Sequence, residues 1–84
     1  MSIACELYDY IEIACIYQLE ISVELKNGEM KSGRALSTLI SKRNGEATEC
    51  LRININGLDE NIPLVEIDQL HAIADNPHFT TIRF

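Results

Sequence analysis

Glu6, Asp9 and Glu12 recur at every third position near the start of this 84-residue chain, with Tyr8 among them. On a helix that spacing makes the side chains neighbours on one face. Such a face can attract a cationic surface, and the tyrosine adds a flat ring to the contact. Residues 1–25 hold five acids (Glu6, Asp9, Glu12, Glu20 and Glu24) and no Lys or Arg. Acids three apart repel by about 0.2–0.5 kcal/mol per pair. The helix dipole offsets this at the N-terminus by about 0.3–1 kcal/mol per carboxylate. That accounts for Glu6 and in part for Asp9, but Glu12 lies beyond the first turn. The residues alone leave two readings open: a solvated face, or a face that binds a basic partner.

Other reactive side chains form no constellation. Cys5, Cys15, Cys50, His71 and His78 show neither CxxC nor HxxxH spacing, so no metal site is expected. Cys5 and Cys15 on one helix would stand about 15 Å apart. A disulfide tolerates about 7 Å between Cα atoms, so all three thiols are expected reduced. There is no phosphate-cradling glycine loop and no nucleophile motif. The chain is therefore expected to be no enzyme and to need no cofactor. Lys42-Arg43 falls in a turn, where it is either a solvated hairpin tip or a second contact region.

The net charge of −6 is unevenly spread. Residues 26–52 carry six bases against three acids, and residues 53–84 carry five acids and Arg83 alone as a base. A net negative chain repels phosphate backbones at long range and favours a basic protein surface. No apolar run approaches the roughly 18 residues of a membrane span, and no basic stretch opens the chain as in a secretory signal. A soluble cytoplasmic protein is expected.

The elements that must position these groups follow from periodicity. Cys5 to Tyr17 reads as a helix, with Leu7, Ile11, Ala14 and Cys15 on one face and the acids on another. Leu19 to Leu25 alternates as a strand, with Leu19, Ile21, Val23 and Leu25 inward. Asn27-Gly28 is a hairpin signal, both residues tolerating positive φ. The chain returns as Met30 to Ile40, where Gly33 suggests a bend or bulge. Ser41 to Gly45 reads as a turn, and Glu46 to Asn56 as a strand with Cys50 opposite in phase to Leu51, Ile53 and Ile55. A turn is expected at Gly57-Leu58-Asp59-Glu60, then a short strand at Ile62 to Val65. Glu66 to Leu70 reads as a helical turn into a strand at His71 to Ala74, with a break at Asp75-Asn76-Pro77 and a last strand from Phe79 to Phe84. One helix and five or six antiparallel strands make a single mostly β (α+β) domain over residues 1–84, a small curled barrel capped by a helix.

The run Cys5, Tyr8-Asp9, Ile11-Glu12-Ile13-Ala14-Cys15, then Leu25-Lys26-Asn27-Gly28, resembles the Rof family of Rho-binding antiterminators. The likeness is close from Ile3 to Gly28 and looser over Gly33–Leu39, Leu51–Ile55 and Ile62–Leu70. It departs at Leu7, where a further acid is expected, and in the four-residue segment before Cys5. The resemblance implies an Sm-like, strongly bent antiparallel β-barrel with an N-terminal helix. It also implies a partner: the termination factor Rho, a hexameric RNA helicase whose N-terminal domains hold primary sites for single-stranded, pyrimidine-rich RNA. Occupying those sites would inhibit Rho-dependent termination. By resemblance Glu6, Tyr8, Asp9 and Glu12 belong to the contacting helix, with Asp9 and Glu12 pairing Lys or Arg of Rho and Tyr8 packing centrally. A monomer with no direct nucleic-acid contact is expected. An Sm-like RNA-binding module using Lys31, Arg34, Lys42 and Arg43 is the alternative.

Overall fold

A computed structural model describes residues 5–43, 45–73 and 81–83, with the backbone alone at Cys5, Glu6, Leu7, Arg43 and Ile82. It holds one helix, α1 (Cys5–Ile16), and six strands: β1 (Glu20–Leu25), β2 (Met30–Arg43), β3 (Glu46–Ile55), β4 (Leu58–Pro63), β5 (Ile67–Ala72) and β6 (Thr81–Arg83). A 3-10 turn, Leu64–Glu66, joins β4 to β5. The strands form one antiparallel sheet in the order β4-β3-β2-β1-β5-β6. Its outer strands, β4 and β6, do not pair with each other, so the sheet is open and the expected closure into a barrel is not present among the described residues.

The core lies between α1 and the sheet. Ile11 and Ala14 of α1 are fully buried against Ile21, Val23, Ala35, Leu51, Ile53, Ile62, Ile67 and Leu70. Burying an Ile or Leu side chain contributes about 1.5–3 kcal/mol, and this packing holds a helix too short to persist alone in water. The alternation expected in β1 is present, with Ile21, Val23 and Leu25 buried and Leu19 packed on the core from just outside the strand.

The helix ends with a Schellman motif. The Leu19 N–H donates to the Ala14 carbonyl at 2.9 Å and the Gln18 N–H to the Cys15 carbonyl at 3.1 Å. This places Gln18 at the left-handed position, φ 49°, where glycine is usual. A side chain there costs about 1–2 kcal/mol.

Several expected boundaries move, each for a local reason. The β1–β2 loop is a three-residue turn: Gly28 donates to the Leu25 carbonyl at 2.9 Å and Leu25 to that of Glu29 at 2.8 Å. Gly28 alone carries the positive φ, 93°, while Asn27 does not. Asn27 instead accepts the Glu29 N–H on its Oδ1 at 2.9 Å. β2 continues to Arg43 and pairs with β3 from Glu46, so Ser41, Lys42 and Arg43 are strand rather than turn residues. The β3–β4 turn is Asn56-Gly57, both left-handed with φ of 53° and 87°, the two-residue form that matches strand twist. Leu58, Asp59 and Glu60 therefore belong to β4 rather than to a loop. Cys50 is buried along with Leu51, so both sides of β3 are covered there. The 3-10 turn falls at Leu64–Glu66 and β5 starts at Ile67, each earlier than periodicity suggested. β6 begins at Thr81, and the expected break at Asp75-Asn76-Pro77 lies outside the described residues.

Gly33 is neither a bulge nor a left-handed residue. The register shift between β2 and β3 falls between Ala35 and Ser37. At Gly33 the two strands come so close that a Cβ would sit 2.3 Å from the Asn54 carbonyl oxygen. Glycine stands there because the neighbouring backbone occupies the space of a side chain.

Candidate functional site

The acidic face is carried on α1, and α1 is laid along β2. Near its start, the Tyr8 hydroxyl donates to Thr38 Oγ1 at 3.4 Å. Beyond its end, the Ala35 N–H donates to the Leu19 carbonyl at 2.9 Å. Tyr8 near the start of α1 thus meets β2 at Thr38, and Leu19 beyond its end meets the same strand at Ala35. Ile11 and Ala14 take the buried side, which turns Asp9 and Glu12 outward. Both are exposed, and neither forms a hydrogen bond or ion pair with another described side chain. Tyr8 is half-buried at the border of this face. Four residues before Glu12, it is that residue's neighbour on the helix surface. Glu6 lies on α1 three residues before Asp9, but its side chain is outside the described set.

The sheet treats its charges differently. The Lys31 ammonium donates to Glu60 Oε1. That hydrogen bond, ahead of the nearby Glu60 and Glu29 charges, holds Lys31 protonated above its ordinary range. Arg34 Nη2 donates to Glu20 Oε1 at 3.0 Å, and its Nη1 to the Gln18 carbonyl at 2.8 Å. Arg52 donates to Asn61 Oδ1 at 3.1 Å and Asn54 to Asp59 Oδ1 at 2.8 Å. The register aligns Glu20, Arg34, Asn54 and Asp59 in one row across four strands. This row borders an open cleft of about 310 Å³ lined also by Ser32, Gly33, Asn56 and Ile73.

Tyr8, Asp9 and Glu12 are therefore brought together, while the Lys42-Arg43 pair is not shown to join them. Lys42 is exposed near the end of β2 and forms no ion pair among the described residues. Arg43 is placed at the strand's last position, its side chain outside the described set. Both are strand residues rather than turn residues, because β2 pairs with β3 up to Arg43–Glu46. The sequence reading did not connect Thr38, Glu20 or Arg34 with the helix. Counting outward from a two-residue Asn27-Gly28 turn sets Glu20 opposite Ala35, and the three-residue turn that forms sets it opposite Arg34 instead; the Thr38 contact had no local signal.

Cys15 is half-buried beside the core, and burial, then the nearby Glu12 charge, pushes its thiol up to about 11. It is a neutral packing group at ordinary pH. Among the described residues no three His, Cys, Asp or Glu side chains gather as metal ligands, and no helix is long and apolar enough to cross a membrane.

An open antiparallel sheet with one helix, whose Asp9 and Glu12 are exposed and unpaired among the described residues, defines a small α+β protein. Comparison with known proteins gives that class a family. Residues 2–84 match the family described as modulator of Rho-dependent transcription termination (ROF), and the chain belongs to it. It is 43% identical over 44 residues to "Protein rof" of Escherichia coli K12 and to that of Shigella flexneri, matches that cover 52% of this chain and 51% of each relative. The match thus spans about half the length of these relatives. Among solved structures it is similar to YaeO from Vibrio cholerae O395, determined bound to magnesium. The TM-score is 0.80 and the identity 31%, over 92% of this chain and 96% of that one.

Proposed function

We propose that this chain binds Rho through the outward face of α1 and occludes Rho's primary RNA sites, so inhibiting Rho-dependent termination in the cytoplasm. One observation supports this reading: Asp9 and Glu12 face solvent with no counter-ion among the described residues, while Lys31 and Arg34 are engaged with Glu60 and Glu20. A site for single-stranded RNA combines a cationic groove with rings for stacking. Carboxylates beside the half-exposed Tyr8 offer that groove both a charge and a ring. Glu6 extends the same face, and Lys42 with Arg43 supplies a second region for contact with acidic or polar groups of Rho.

The action is binding rather than catalysis. The chain works as a monomer, because its edge strand β4 carries Asp59, Glu60 and Pro63, features that discourage pairing with another sheet edge. Direct RNA binding loses two of its four candidate cations, since Lys31 and Arg34 are already partnered.

The test is competition. Rho is saturated with labelled oligo-C and the chain is titrated in at about 0.15 M salt, where screening acts beyond roughly 8 Å. Displacement that weakens as salt rises is expected, and the Asp9→Lys, Glu12→Lys double variant should displace nothing while keeping its far-UV circular dichroism. Displacement by the double variant sinks the assignment to α1. Tight binding of oligo-C by the chain without Rho moves the function to RNA.

A further inference from the structure

We propose that Arg34 is a positioning residue for the acidic face: it locks the exit of α1 onto the sheet and so fixes where Asp9 and Glu12 point. This inference rests on the reading of α1 as the Rho-binding element. Gln18 sits in a left-handed conformation at the helix end, φ 49°, a position that favours glycine. Such a junction persists when the surroundings over-determine it. Arg34 does so with two bonds from one planar guanidinium, to the Gln18 carbonyl at 2.8 Å and to Glu20 Oε1 at 3.0 Å. The carbonyl belongs to the helix end and the carboxylate to the first residue of β1, so one group on β2 joins three elements.

The placement of Arg34 is itself determined by the strand. It lies opposite Glu20 across β1–β2 and opposite Asn54 across β2–β3. The next residue, Ala35, is fully buried and donates its N–H to the Leu19 carbonyl at 2.9 Å. Gly33, on the other side, lies close against the Asn54 carbonyl. This stretch of β2 has little room to shift, so it is a fixed base for the guanidinium. With Tyr8 bonded to Thr38 further along the same strand, α1 is pinned to β2 near both ends. Removing the Arg34 end leaves a helix that pivots about its Ile11 and Ala14 packing.

A pivoting helix carries the same charges but must be ordered on binding, and ordering lowers affinity. Encounter with a basic partner is steered by net charge, which replacing Arg34 makes more negative. The signature of positioning is therefore an unchanged or faster association rate with faster dissociation. Arg34 is not assigned a contact with Rho, because the groove to be filled is cationic.

The experiment measures association and dissociation rates of the full chain on immobilised Rho hexamer. Arg34→Ala should dissociate about tenfold faster with no loss of association rate, since affinity differences within one interface lie mostly in dissociation. Arg34→Lys, whose ammonium lacks the planar fork, should recover part of the difference. Helicity and thermal melting are followed in parallel. A lower melting temperature with parental dissociation makes Arg34 merely structural and overturns the proposal. If Arg34→Ala does not fold, Glu20→Gln carries the test: faster dissociation by a smaller factor supports it, and no change overturns it. Asp9→Lys with Glu12→Lys separates the two readings. If that variant still binds, the α1 reading fails and positioning falls with it. If it does not bind while Arg34→Ala dissociates like the parent, positioning alone fails.

Discussion

The carboxylates of α1 and three carboxylates of the sheet, Glu20, Asp59 and Glu60, are the same chemistry in opposite circumstances. On the sheet, Glu60 meets Lys31, Glu20 meets Arg34 and Asp59 accepts from Asn54. On the helix, Asp9 and Glu12 point outward with no described base in reach. Cross-strand register brings opposite charges together as a matter of geometry, while a helix whose acids recur every third position brings like charges together. The sheet thus engages Lys31 and Arg34 internally, while Lys42, Glu24, Glu46, Glu49 and Asp68 form no ion pair among the described residues. The helix keeps a field that extends into solvent, weak for stability and useful for attracting a cationic surface.

The difference can be broken from either side. Neutralising the helix with Asp9→Asn and Glu12→Gln should weaken Rho binding by about 2–4 kcal/mol, the scale of lost charge pairs at an interface, with little change in melting temperature; titration calorimetry against Rho checks this. The sheet responds through stability instead. Gly33→Ala drives a methyl group into the Asn54 carbonyl. It should cost about 1–3 kcal/mol, as overpacking does, read from urea unfolding. Glu60→Gln, which removes the charge that Lys31 meets, should change stability by no more than about 1 kcal/mol because the pair is partly exposed, and should leave Rho binding as it was. A strong loss of binding in Glu60→Gln would erase the contrast between the regions.

The last effect concerns pH. Cys15 keeps its proton up to about 11 in the folded chain against 9.0 for a free thiol. The unfolded chain therefore loses that proton first, and stability from this group is complete below pH 9.0 and lost as pH rises toward about 11. Unfolding followed from pH 8 to 11 should show this decline, and Cys15→Ala should flatten it.

Much of the local structure was legible. The helix was placed to within one residue because Ile11, Ala14 and Cys15 keep helical spacing, and β1 because apolar and polar residues alternate. β4 was obscured because it is an edge strand with polar residues at Asp59, Glu60 and Asn61, which read as loop. The Asn56-Gly57 signal that bounds it was in plain view, but the polar residues after it drew the turn one step late. β2 outran its expected end because Lys42 and Arg43 are exposed strand residues, and exposure resembles a turn when pairing is unseen.

The sequence by itself determined that acids crowd one side of a helix whose other side must be buried, since residue spacing and helical pitch suffice for that. Only the tertiary structure decided which acids keep their charge uncompensated. That depends on strand register, which sets Glu20 opposite Arg34, and on the packing of the sheet, which sets Lys31 of β2 beside Glu60 of β4, across gaps of 14 and 29 residues. Register follows from turns and packing along the whole sheet, and no short stretch of sequence contains it.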